Sequence, residues 1–205
     1  MASGAGGRGR AARLNEEPRL FVAVPVSEPA RAAVAAVVDA IRAGEPEGRG
    51  VRWVRLDGLH ITLRFLGPTI ESSVDAAARA VAAAASGTAP FTIRIAGADA
   101  FPPVGRPRTL WLDLDRGADE LADLARRLDD ALAERGWERE RRPFRAHLTL
   151  ARADGVRAGP ATVAALRAAA TELAIESPIE RVVLFESITG SGRARYIERA
   201  QTALG

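Results

Sequence analysis

The sequence predicts an α+β fold: two similar lobes of mainly antiparallel sheet, flanked by helices, around one central groove. Three observations carry that prediction. Strand and helix patterns follow in the order β-α-β-β-α-β-β-α-β-α-β-β, with several strands joined by short turns, which favours antiparallel pairing. The stretch His60-Ile61-Thr62-Leu63 recurs as His147-Leu148-Thr149-Leu150, and each copy is followed shortly by a helix and a strand pair. These are the chain's two histidines, and with ten threonines in 205 residues chance would place Thr two positions after both in about a quarter of one per cent of cases.

The elements follow in order. Leu20 to Val26 is a β-branched apolar run closed by Ser27, a residue suited to cap a helix over Glu28 to Ala43. After a Gly/Pro/Glu turn, Val51 to Leu56 reads as a short strand and Leu59 to Leu66 as the first motif strand, ended by Gly67-Pro68. Ile70 to Ala85 is rich in helix formers, with Ser86-Gly87 as its stop. Phe91 to Ile95 and Leu110 to Leu114 alternate as paired strands across a Pro-rich loop, Phe101 to Pro107. Leu121, Leu124, Ala125, Leu128 and Leu132 recur at helical spacing over Ala118 to Glu134, with Gly136 at the end. Phe144 to Ala151 reads as the second motif strand and Pro160 to Ala174 as a helix with Pro at its start. Ile179 to Ile188 and Ala194 to Ala200 close the chain as strands.

Length and composition fit a single domain over residues 18–205, preceded by a disordered Gly/Ala/Arg tail over 1–17 with no apolar period. That tail lacks the apolar centre of a signal peptide. The alanine run from Ala76 to Ala85 contains Arg79 and is too short to cross a bilayer. The expectation is a cytoplasmic protein with no membrane partner. No cysteine is present, which removes disulfides and thiolate metal sites. All 29 basic residues are arginine, a bias that weakens any argument from the net charge of +3 and the pI near 10.6. A phosphate-bearing partner is compatible with them.

In a strand, His60 and Thr62 share one face while Ile61 and Leu63 take the other, and His147 and Thr149 do the same against Leu148 and Leu150. Each motif strand therefore offers a polar pair on one face and an apolar anchor on the other. Two imidazoles facing one space suit acid/base chemistry, because their ordinary pKa of about 6.5 makes both protonation states accessible near neutrality. The threonine hydroxyls can donate to phosphoryl oxygens. A single His-x-Thr is more often a cross-strand hydrogen-bonding pair, but two copies holding all the histidine favour a site. A metal centre lacks a third ligand, since no carboxylate is spaced to join either motif; neither metal nor other cofactor is expected. Phe65 and Phe144 read as core residues or as candidates for stacking a base near the groove mouth. Arg152, five residues after His147, should face away from the site in a regular strand, unless the strand end turns it toward a phosphate. Arg106 and Arg108 in the Pro-rich loop are weaker candidates.

His60-Ile61-Thr62-Leu63-Arg64-Phe65-Leu66-Gly67 and His147-Leu148-Thr149-Leu150-Ala151-Arg152 resemble the two signature motifs of the two-histidine phosphoesterases, and in particular the bacterial and archaeal RNA 2',3'-cyclic phosphodiesterases of the LigT or 2'-5' RNA ligase type. Arg52-Trp53-Val54, Pro107 to Leu112 and Leu184 to Ser187 resemble further segments of that family in its usual order. The resemblance implies hydrolysis of RNA 2',3'-cyclic phosphate ends, or of small cyclic nucleotides, to 2'-phosphates. By it, His60 is the proton donor, His147 the proton acceptor, and Thr62, Thr149 and Arg152 hold the phosphate. A monomer is expected. One departure is Ala146, where the family usually has Pro; the consequence expected is a softer entry to the strand. Two other readings stay open: an RNA-end binding module without turnover, and a reversible 2'-5' ligase or another cyclic phosphodiesterase.

Overall fold

The computed structural model describes residues 17–43, 50–154, 159–188 and 194–205. The expected tail, except Glu17, lies outside the described residues. Among the described residues, nine strands form two antiparallel sheets. The first has the order β3-β1-β8-β9, from β1 (Arg19–Pro25), β3 (His60–Pro68), β8 (Arg181–Ile188) and β9 (Arg195–Ala203). The second has the order β2-β6-β5-β4-β7, from β2 (Val51–Trp53), β4 (Phe91–Phe101), β5 (Thr109–Arg116), β6 (Leu148–Ala153) and β7 (Ile175–Ile179).

The two sheets repeat one unit. β1 leads through α1 (Glu28–Ala43) to β3, which returns antiparallel beside it; β5 leads through α3 (Ala118–Ala133) to β6, which returns the same way. Each connecting helix then crosses to the other sheet: α1 packs on β7, and α3 packs on β3. Between them α2 (Val74–Ala85) lies on α3, β8 and β9, and α4 (Gly159–Ala169) lies on β4 and α1. The lobes are therefore interlocked and do not correspond to the two halves of the chain, because the first sheet takes strands from both ends of the sequence.

Alternation within the strands builds one large core and one small one. Leu20, Val22 and Val24 of β1 join Val182 and Leu184 of β8 in the main core, while Phe21 and Ala23 pair with Val183 and Phe185 as a separate cluster on the opposite face. Each such side chain, fully buried, adds roughly 1.5–3 kcal/mol of transfer free energy. In β5, Leu110, Leu112 and Leu114 likewise face the main core and Trp111 faces away, yet Trp111 is also fully buried. Gly117, before α3, has φ of +82°, and a Cβ there would stand 2.7 Å from Ile93 Cγ2 and 2.9 Å from its Cα. Only glycine fits that turn. Gly136 ends the segment at φ of +94°.

Several boundaries differ from those the sequence predicts. β2 stops at Trp53 because the chain turns into a single 3-10 turn over Leu56–Gly58. β4 runs on to Phe101, absorbing residues that read as loop. The second motif strand starts at Leu148, so His147 stands just ahead of its first ladder pair. The last predicted helix ends at Ala169, and the predicted strand from Ile179 splits: β7 lies in one sheet and β8 in the other. β7 escaped notice because its buried polar residue is Ser177 and its Pro178 breaks the apolar alternation; Pro is tolerated there because β7 is a sheet edge.

One long tie crosses the interior side of the first motif strand. Arg64 of β3, with 11% of its side chain exposed, pairs with Asp129 of α3 at 3.4 Å and with Glu140 at 2.7 Å, and donates to the Glu138 carbonyl.

Candidate functional site

Both motif strands line a single groove of about 1880 Å³, and β3 and β6 approach within 8 Å of each other, Cα to Cα. His60, Thr62, His147, Thr149, Arg152, Phe65 and Phe144 all line it. The two faces that alternation assigned to the polar pairs are therefore turned toward each other. Arg106 and Arg108 are not on its walls. Arginines outnumber carboxylates nine to three along the lining, which makes the groove a favourable place for an anion.

The two imidazoles are held alike. His60 Nδ1 donates to the Gly58 carbonyl at 2.7 Å and His147 Nδ1 donates to the Arg145 carbonyl at 2.8 Å, in each case two residues back. A carbonyl accepts only, so Nδ1 carries the proton and Nε2 is left free to give or take one. The surroundings differ. His60 sits in a ring of aromatics: Phe21 at 5.0 Å, Tyr196 edge-on at 5.1 Å and Phe185 at 5.9 Å between centroids. His147 meets Phe101 at 5.4 Å and Trp111 at 5.8 Å, both edge-on, with the Arg145 guanidinium 4.4 Å above the Trp111 ring and 3.5 Å from Asp113.

Burial pushes the His60 pKa below its ordinary value, opposed by the Gly58 carbonyl. His147 is also pushed down by burial first, and then by the charges of Arg152 and Arg145, against the Arg145 carbonyl and Asp113. Tyr196 is pushed up by burial and drawn down by Arg152, which puts Arg152 in electrostatic reach of both sides of the groove.

Arg152 faces the groove, against the alternation. The reason is a β-bulge. Pairing runs Thr109↔Arg152 and Leu110↔Ala151, then Trp111↔Thr149, so Leu150 is an extra residue and Leu150 and Ala151 are both buried. One extra residue reverses the phase, and Arg152 returns to the side of Thr149. There it donates to the Thr109 hydroxyl. The first motif has the same device: Val22↔Arg64 is followed by Ala23↔Thr62, leaving Leu63 extra. Arg152 and Phe65 thus hold equivalent places, five residues after their histidines. Phe65 is 66% exposed, and Phe144 is half-buried against the core.

Four contributors went unnoticed in the sequence: Phe21, Tyr196, Arg145 and the Trp111 floor. Alternation in β1 and β5 puts Phe21 and Trp111 opposite the core-facing residues, which is a legible signal. Tyr196 is the chain's single tyrosine, a weak one. Among the described residues, no group of three or more His, Cys, Asp or Glu is arranged to hold a metal ion.

Two antiparallel sheets, each presenting a His-x-Thr strand to one groove, define the architecture of a two-histidine phosphoesterase. Residues 26–190 match the 2'-5' RNA ligase superfamily, and the chain belongs to it. A Geobacillus stearothermophilus protein named RNA 2',3'-cyclic phosphodiesterase is 33% identical over 132 residues, 64% of this chain and 41% of its own length. An Aeropyrum pernix protein of the same name is 36% identical over 120 residues, 58% of this chain and 67% of its own. The chain therefore spans less than half of the first relative. Among solved structures, a Thermus thermophilus protein superposes with a TM-score of 0.71 at 29% identity, covering 91% of this chain and 97% of that one. Escherichia coli LigT complexed with 3'-AMP superposes with a TM-score of 0.69 at 25% identity, covering 91% and 98%.

Proposed function

We propose that this chain hydrolyses RNA 2',3'-cyclic phosphate ends to 2'-phosphate ends by metal-independent two-histidine catalysis. The observation that carries the reading is the matched pair of imidazoles in one groove, each with Nδ1 tied to a carbonyl and Nε2 free. His147 Nε2 takes a proton from water as the water oxygen bonds to phosphorus. His60 Nε2 gives its proton to the ribose 3' oxygen as the P–O3' bond breaks. Solvent then restores both protonation states. Thr62, Thr149 and Arg152 hold the phosphoryl oxygens, and Phe65 and Phe144 offer rings to a base.

The roles follow from the surroundings. Arg152 and Arg145 disfavour a proton on His147 and keep it a base. Among the described residues no cation bears on His60, so the charge of an arriving phosphate favours its protonated form. The relatives named RNA 2',3'-cyclic phosphodiesterase support the substrate class.

The reading takes residues 18–205 as one bilobal unit with 1–17 as a tail outside it. It also takes the enzyme as a cytoplasmic monomer, acting on RNA ends or small cyclic nucleotides. The absence of cysteine suits a reducing compartment, and among the described residues no helix is long and apolar enough to cross a membrane.

The test is incubation of a cyclic-phosphate oligonucleotide with the protein in EDTA, followed by mapping of the product end. A 2'-phosphate is expected. No turnover, or a 3'-phosphate, overturns the reading, and tight binding without turnover points to an RNA-end binding module instead.

A further inference from the structure

The groove wall carries two facing guanidiniums, of which the chemistry above uses only Arg152. In the ladder between β2 and β6, Arg52 stands directly opposite Arg152. Directly paired residues project from the same face, with Cβ atoms about 5 Å apart, and like charges so placed repel. Both line the groove. Arg152 is linked to Thr109, its partner on the other side, whereas Arg52 is exposed and makes no ion pair or hydrogen bond among the described residues.

The described carboxylates on the groove wall do not pair with Arg52. The three that line the groove are already engaged elsewhere: Asp39 with Arg42 at 3.6 Å, Asp129 and Glu140 with Arg64 at 3.4 and 2.7 Å. Thr109, Arg152 and Arg52 thus form a row across β5, β6 and β2, running from the floor of the groove out to the edge of the second sheet. Two facing guanidiniums on one groove wall are stabilised by an anion lying along them.

Resting on the proposed function, we infer that Arg52 binds the backbone phosphodiester immediately upstream of the cyclic end, so that the row selects an RNA chain over a single nucleotide. Arg152 takes the reacting phosphate and Arg52 the next one. The strand leaves the groove over the β2 edge. Arg52 touches no reacting atom, so its contribution depends on the length of the ligand.

The test is equilibrium binding of two unreactive products, a 2'-phosphorylated dinucleotide and a 2'-phosphorylated mononucleoside, to the wild type, Arg52→Gln and Arg52→Lys, beside the turnover assay. The wild type should prefer the dinucleotide, and Arg52→Gln should cut that preference about tenfold, as expected for one charge-assisted phosphate contact. The slope of log affinity against log salt for the dinucleotide should fall by about 0.7. Arg52→Lys should keep most of the slope and part of the preference. An unchanged preference in Arg52→Gln overturns the inference, and so does an equal loss for both ligands, which would put Arg52 on the reacting phosphate. Because binding is read without turnover, a wild type that binds with length preference but hydrolyses nothing sinks the proposed function and leaves this site standing.

Discussion

The two half-sites share a backbone design and differ in what surrounds it. Each has a histidine tied to the carbonyl two residues back, a threonine two residues on and a bulge at the following leucine. Around His60 lie aromatic rings and, among the described residues, no cation; around His147 lie Arg145, Arg152 and Asp113. The backbone fixes where the proton-transfer atoms stand. In the proposed mechanism the neighbours decide which way the proton goes, so that a duplicated motif serves as an acid and a base without any change in the motif itself.

The largest effect expected comes from removing either imidazole. His60→Ala and His147→Ala should each lower kcat on a cyclic phosphate by about 10²–10⁴-fold. An activated aryl phosphodiester, whose leaving group needs no proton, should divide them: the His60→Ala loss shrinks by about a hundredfold while the His147→Ala loss stays. Equal losses on both substrates would break the assignment of separate roles.

Next come the residues at the equivalent places after each bulge. Arg152→Ala should lower kcat/KM by roughly 10–100-fold, the scale of a lost charged hydrogen bond. Phe65→Ala should act mainly through KM, by about tenfold, and only on substrates that carry a base. Steady-state kinetics on a cyclic nucleotide and on a base-free cyclic phosphate checks both.

The smallest effect is on the pH profile. The proposed mechanism needs His147 neutral and His60 protonated, and both pKa values lie below the ordinary one, so kcat/KM should peak on the acid side of the optimum that two unperturbed histidines would give. Arg152→Gln removes a cation that lowers the His147 value, so the limb on which activity rises with pH should move to higher pH. The falling limb, set by His60, should stay. Movement of both limbs together would show that the two environments are not independent.

The sequence made the chemistry legible and part of the geometry. β1 and β5 announced themselves through apolar runs, and the paired motifs announced the site. Regular alternation alone would turn Arg152 away from the groove, but the bulge at Leu150 uses one residue without advancing the ladder and Arg152 lines the groove. The first motif carries the same bulge, with Leu63 as its extra residue. β7 was missed because a buried Ser177, accepting a hydrogen bond from the Ser27 backbone N–H at 2.9 Å, carries no apolar signal. Interlocking of the lobes was invisible for a different reason: amphipathic helices such as α1 and α3 declare that they have a buried face, but not which sheet covers it.

Arg64 also has no counterpart in the other lobe, where Ala151 holds the equivalent place. Its guanidinium joins β3 to α3 and to Glu138 and Glu140, at the start of the approach to His147. Widening the groove would strip a nearly buried cation of its carboxylates, an expensive step. Arg64 therefore resists any separation of β3 from α3 on this side of the groove.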